Sequence, residues 1–185
     1  MVEGRPLGRL FVAVPLPDEV RMALTDRLGP GALPGKVVPP ENWHVTLRFL
    51  GGTDEVSYER LLAALDGTEL GPEFDVGLGE MGAFPRPRSA TVIWLAVSKG
   101  HGRLEELAAE AEEAAQAAGC APEERPFRAH LTLSRVRPPE DVSRLVDEFP
   151  GADIGWRVRS IVVYKTHPGR GGVRYEPLET FPLGR

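Results

Sequence analysis

Residues 43–50 read WHVTLRFL, and residues 127–136 read FRAHLTLSRV. Both stretches have the apolar, β-branched and aromatic make-up of strands. Both carry His, a hydrophobic residue, Thr and Leu in that order: His44-Val45-Thr46-Leu47 and His130-Leu131-Thr132-Leu133. On a strand, side chains two apart share a face at about 6.6 Å spacing. His44 therefore stands beside Thr46, and His130 beside Thr132, while Val45, Leu47, Leu131 and Leu133 turn to a core. The chain has only 4 histidines in 185 residues, so chance supplies well under one such motif. It contains two.

Outward from these strands the chain repeats itself. Arg9 to Val14 reads as a strand, and a helix opens at Pro17-Asp18-Glu19 and runs to Leu28. A Pro- and Gly-rich loop covers 29–40, the first His strand follows, and a helix capped by Thr53 and Asp54 runs to Leu65. Phe74, Val76 and Leu78 alternate as a strand, and 82–88 is a loop. The second half has a strand at 90–97, a helix whose stripe is Leu104, Leu107, Ala108, Ala111, Ala114 and Ala118, and the second His strand. A helix to Phe149, a strand at 156–164 and a final strand within 173–181 complete it. The spacings match: Phe11 to His44 is 33 residues and Trp94 to His130 is 36, while His44 to Leu78 is 34 and His130 to Val162 is 32. This is a duplication with too few copies for a solenoid. The reading is α+β, with residues 1–185 forming a single domain of two interleaved lobes, approximate repeats 8–82 and 89–166.

Composition narrows the function. A formal charge of −5 and a pI near 5.5 argue against coating long nucleic acid by bulk phosphate attraction. The charge is uneven, however: 155–175 holds five basic residues and no acidic one. A locally held anion fits such a chain. The single cysteine, Cys120, excludes an internal disulfide framework and a multi-cysteine zinc site. The apolar stretch near the N-terminus meets Pro15 and Pro17 and reads as a strand rather than a signal peptide. The expected compartment is the cytoplasm.

Two imidazoles across a cleft, each with a hydroxyl beside it, suit an in-line displacement at phosphorus. One takes a proton from water, the other gives a proton to the departing oxygen, and Thr46 and Thr132 donate to the non-bridging oxygens. Neither histidine has a carboxylate or thiol at metal-ligand spacing, so no metal or other cofactor is expected. No G-x-S-x-G motif supports a serine hydrolase.

Several stretches carry a resemblance: Arg9 to Val14, Asn42 to Gly51, Gly82-Ala83-Phe84-Pro85-Arg86-Pro87-Arg88, Phe127 to Arg135, and the close Tyr175-Glu176-Pro177-Leu178 with Phe181-Pro182-Leu183. The sequence resembles the 2H phosphoesterase superfamily, and within it the RNA 2′,3′-cyclic phosphodiesterases also called LigT-like 2′-5′ RNA ligases. The resemblance covers nearly the whole chain. It implies a bilobal, pseudo-twofold fold in which two antiparallel sheets flanked by helices enclose a central, metal-free cleft. It implies hydrolysis of a terminal 2′,3′-cyclic phosphate to the 2′-phosphate, with His44 as proton donor to O3′ and His130 as the base acting on water. The substrates it implies are RNA 3′ ends or small nucleotides bearing that cyclic phosphate, handled by a monomer with no membrane and no obligate protein partner.

Three further residues are candidates for substrate binding. Arg135 matches a family phosphate contact, although strict alternation puts it opposite His130, so a bulge or a strand end is required. Arg48 has the parity of His44, and Phe11 resembles a family position that can stack on a base. His167 is a candidate to border the cleft, whereas Trp43, Trp94, Phe127 and Trp156 are assigned to packing. Two alternatives stay open. One keeps the cleft and changes the task, to 2′-5′ RNA ligation or to another small cyclic nucleotide. The other is a catalytically silent module that binds RNA ends.

Overall fold

The fold is known from a computed structural model that describes residues 4–184; residues 1–3 and 185 lie outside the described residues. In chain order the elements are β1 (Pro6–Pro15), α1 (Asp18–Leu28), β2 (Lys36–Val37), β3 (His44–Asp54), α2 (Glu55–Asp66) and β4 (Phe74–Phe84). There follow β5 (Ala90–Lys99), α3 (His101–Ala117), β6 (His130–Glu140), α4 (Ser143–Glu148), β7 (Ile154–Val158), β8 (Ser160–His167) and β9 (Arg174–Pro182). The protein is α+β.

All strand pairs are antiparallel, in the order β7-β4-β5-β6-β3-β1-β8-β9, with β2 added against β6. The two expected sheets are therefore the halves of one, joined where β3 meets β6 through the single register pair Val45 and Leu131. Outward from that pair the halves mirror each other. β5 flanks β6 as β1 flanks β3, with β4 and then β7 on one side and β8 and then β9 on the other. The third strand of each repeat crosses over: β4 pairs with β5, and β8 pairs with β1.

The core follows from the pleat. Leu10, Val12, Val14, Val45, Leu47, Ile93, Leu95, Leu131 and Leu133 are all buried under the helices. Each such side chain contributes about 1.5–3 kcal/mol relative to exposure. α2 and α3 pack on each other and on β3, while α1 packs against β7.

Three expectations change. The strand expected over 156–164 is two strands with different partners, β7 on β4 and β8 on β1. The buried positions show why: Trp156 and Val158 set one phase of alternation, Ile161 and Val163 the other, and the phase slips between them. Gly82 to Phe84, expected in a loop, continue β4. Within the loop expected over 29–40, Lys36 and Val37 form the short β2 against Arg135 and Ser134.

Candidate active site

His44 opens β3 and His130 opens β6, so the join at Val45 and Leu131 sits one residue inside each. In an antiparallel register this sets His44 next to Thr132 and Thr46 next to His130. The four sequence-predicted residues are thus brought into one patch with approximate twofold symmetry.

The imidazoles are oriented in the same way. His44 Nδ1 lies 2.7 Å from the carbonyl oxygen of Asn42, and His130 Nδ1 lies 2.6 Å from that of Arg128. A carbonyl only accepts, so each Nδ1 carries hydrogen and donates. That leaves each Nε2 as the atom free to take or give a proton. His44 Nε2 is 2.9 Å from Thr46 Oγ1. Aromatic rings hold the imidazoles from the sides. His44 packs on Phe11 at 4.8 Å and meets Tyr175 edge-on at 5.2 Å. His130 meets Phe84 at 5.5 Å and Trp94 at 6.4 Å.

Burial chiefly pushes the His44 imidazole down to about 4; the Asn42 carbonyl opposes that shift, while His130 and Arg135 add to it. His130 is also lowered, first by burial, with Arg128 opposing and Arg135 assisting. Arg135 therefore acts on both rings. An anion bound there would offset Arg135 and favour imidazolium, against the larger effect of burial.

Arg135 reaches this face through a bulge. Ile93 pairs with Ser134 but Trp94 pairs with Thr132, so β6 carries an extra residue at Leu133. Leu133 and Ser134 are both buried, and Arg135 emerges on the histidine side. A short arm backs the bulge: Ser134 Oγ donates to the Pro34 carbonyl, and Val38 N donates to the Leu133 carbonyl at 2.8 Å. Gly35 permits the close approach, with φ +76° and a would-be Cβ only 2.5 Å from the Arg135 carbonyl oxygen.

β3 does the same, and this corrects the placement of Arg48. Val12 pairs with Arg48 but Ala13 pairs with Thr46, so the extra residue is Leu47. Arg48 turns to the buried side, 8% exposed, and pairs with Glu112 of α3 instead of facing the cleft beside His44. The residue that emerges is Phe49, 58% exposed, with its ring 5.9 Å from that of Phe11. Phe49 and Arg135 thus occupy equivalent places, each five residues after a histidine.

Phe11 also differs from expectation. At 2% exposure its ring is enclosed by Tyr164 at 5.3 Å, Tyr175 at 4.9 Å, Phe49 and His44, so it offers no free face to a base. His167 is engaged by Glu176. Strand alternation sets it on the face opposite Tyr164.

Sequence reasoning missed Phe49, Tyr175, Phe84 and the part played by Trp94. The signal for Phe49 was present, since the two motifs align as His-x-Thr-x-x-Phe and His-x-Thr-x-x-Arg. Among the described residues, no group of three or more His, Cys, Asp or Glu is arranged to hold a metal ion, and no helix is long and apolar enough to cross a membrane.

The chain is similar to proteins named RNA 2′,3′-cyclic phosphodiesterase. One from Escherichia coli is 34% identical over 182 residues, covering 95% of this chain and 96% of the relative. One from Aeropyrum pernix is 35% identical over 163 residues, covering 84% and 90%. The crystal structure of Escherichia coli LigT complexed with 3′-AMP superposes with a TM-score of 0.79 at 29% identity, covering 98% of this chain and 100% of the other. The sequence profile described as the 2′-5′ RNA ligase superfamily matches residues 17–170. The two-histidine strands, the fold and these matches agree, and the chain belongs to the 2′-5′ RNA ligase superfamily.

Proposed function

We propose that the protein is a hydrolase that opens a terminal 2′,3′-cyclic phosphate, on RNA or a small nucleotide, to the 2′-phosphate. The observation that carries this reading is the paired set of imidazoles, each held by a carbonyl at Nδ1 so that Nε2 is the proton-transferring atom, around the Val45–Leu131 join.

In this reading His130 Nε2 takes a proton from water as the water oxygen bonds to phosphorus. The P–O3′ bond breaks, and His44 Nε2–H protonates the departing O3′. Thr46, Thr132 and Arg135 donate to the non-bridging oxygens, where charge builds. The leaving O3′ stays on the ribose that carries the base, and the exposed ring of Phe49 reaches His44 through Phe11. A base stacked on Phe49 places the ribose on the His44 side, which favours His44 as donor and His130 as base. With an RNA 5′-hydroxyl in place of water, the same groups would form a 2′-5′ linkage: His130 takes the hydroxyl proton, the P–O3′ bond breaks, and His44 protonates O3′. We read residues 1–185 as one domain made by duplication, acting as a monomer in the cytoplasm without a cofactor.

Product analysis from adenosine 2′,3′-cyclic phosphate tests this. The expected product is adenosine 2′-phosphate, at a rate unchanged by EDTA. A 3′-phosphate would overturn the assignment of the leaving oxygen. Tight binding without turnover would favour a silent RNA-end module.

A further inference from the structure

The mechanism leaves unused a buried ionic contact directly behind Phe49. The guanidinium of Arg48 pairs with the Glu112 carboxylate, donates to the carbonyl of Phe49 itself, and donates to the Ala121 carbonyl at 2.6 Å. The other carboxylate oxygen of Glu112 accepts from Gln116 Nε2 at 2.7 Å and from Glu123 N at 3.0 Å. One ion pair thus ties the β3 bulge to α3 and to the segment that leads to β6 and the carbonyl of Arg128. The equivalent bulge in β6 is held by Ser134 and the 34–38 arm. Each half therefore uses the residue before the exposed one as an anchor, and in the first half that anchor is charged.

We propose that Arg48 and Glu112 are positioning residues for Phe49: they pin the bulge so that the Phe49 ring stays over Phe11, and they thereby set the affinity for the base-bearing part of the substrate. This rests on the reading of Phe49 as the base platform. A planar guanidinium suits the task, because its fork satisfies a carboxylate and two carbonyls at once. A cavity of about 400 Å³ beside Arg48, lined by Leu50, Thr53, Ser57 and Cys120 among others, gives a replacement side chain room to settle.

The test compares Arg48→Met, Glu112→Gln and Phe49→Ala on two substrates, adenosine 2′,3′-cyclic phosphate and the base-free 1-O-methylribose 2′,3′-cyclic phosphate. Arg48→Met is expected to raise KM for the adenosine substrate about fivefold, with kcat within about twofold and no change on the base-free substrate. Glu112→Gln, which keeps the volume and the hydrogen-bonding atoms, shifts KM in the same direction and covers the case in which Arg48→Met fails to fold. Arg48→Met combined with Phe49→Ala should be no worse than Phe49→Ala alone, because the two act through one ring. If Phe49→Ala raises KM and neither Arg48→Met nor Glu112→Gln does, the positioning role is wrong. If the Arg48 and Glu112 variants lose kcat equally on both substrates, the pair serves general stability and the proposal is likewise overturned. If Phe49→Ala leaves KM unchanged, the base platform itself fails and the positioning role falls with it.

Discussion

Val45 and Leu131 form the register pair that joins β3 to β6, and each lies one residue from a histidine in its own strand. Because the pair is antiparallel, each imidazole is set beside the threonine of the other repeat as well as its own. On the proposed mechanism, loss of either imidazole removes one of the two proton-transfer groups and leaves the other in place.

His44→Ala and His130→Ala should each lower turnover of a 2′,3′-cyclic nucleotide by about 10²–10⁴. Neither histidine is part of the apolar core, so circular dichroism and the thermal midpoint should show a folded protein. Near-normal turnover by either variant would remove that histidine from the chemistry.

The pH dependence follows from the lowered imidazoles. His44 is held at about 4, and His130 is also below its ordinary value. Both therefore lose protons at lower pH than a free histidine at about 6.5. The reactive free enzyme carries one proton shared by the pair, so kcat/KM should peak below about pH 6.5 and already be falling by that pH. The bound phosphodiester anion favours the protonated form, so the maximum of kcat should lie at higher pH than that of kcat/KM. A kcat/KM maximum above about pH 7 would contradict the assignment of burial as the dominant cause.

Arg135→Ala removes a cation that acts on both rings. KM should rise about 10- to 100-fold through loss of a charge-assisted contact to phosphate. The same substitution relieves repulsion of both imidazoliums, so the alkaline limb of kcat/KM should move to higher pH. A rise in KM with an unmoved limb would mean that Arg135 touches the substrate but lies too far from the imidazoles to tune them.

Gly82→Ala tests the second aromatic wall. A Cβ at Gly82 would lie 2.3 Å from the Trp94 ring, which must then shift from its place beside His130. The expected cost is about 1–3 kcal/mol of stability, read from denaturant unfolding, together with reduced kcat. Full activity and unchanged unfolding would show that Trp94 moves freely.

Much of this site was legible in the sequence because a strand's two-residue period says which face each side chain takes. That rule set His44, Thr46, His130 and Thr132 on one face and buried the residues between them, which is the arrangement the structure has. It failed just past each threonine, where the extra residues Leu47 and Leu133 reverse the parity. Arg48 looked right by alternation and was turned away, while Arg135 looked wrong and was turned inward. A bulge leaves no composition signal of its own, but comparing the two repeats position by position would have set Phe49 against Arg135. The split of 156–164 into β7 and β8 was visible as a change of phase between Val158 and Ile161. Its consequence, pairing on opposite halves of the sheet, depends on contacts distant in sequence.

The unlike residues at the two bulges also give the cleft a direction. A perfect twofold site would admit a cyclic phosphate in two equivalent poses, and either imidazole could face the departing oxygen. Phe49 is neutral and flat, and Arg135 is charged. On the proposed mechanism, this difference at matching positions of the two halves removes the equivalence, so that substrate would enter one way round and the proton would move in one sense.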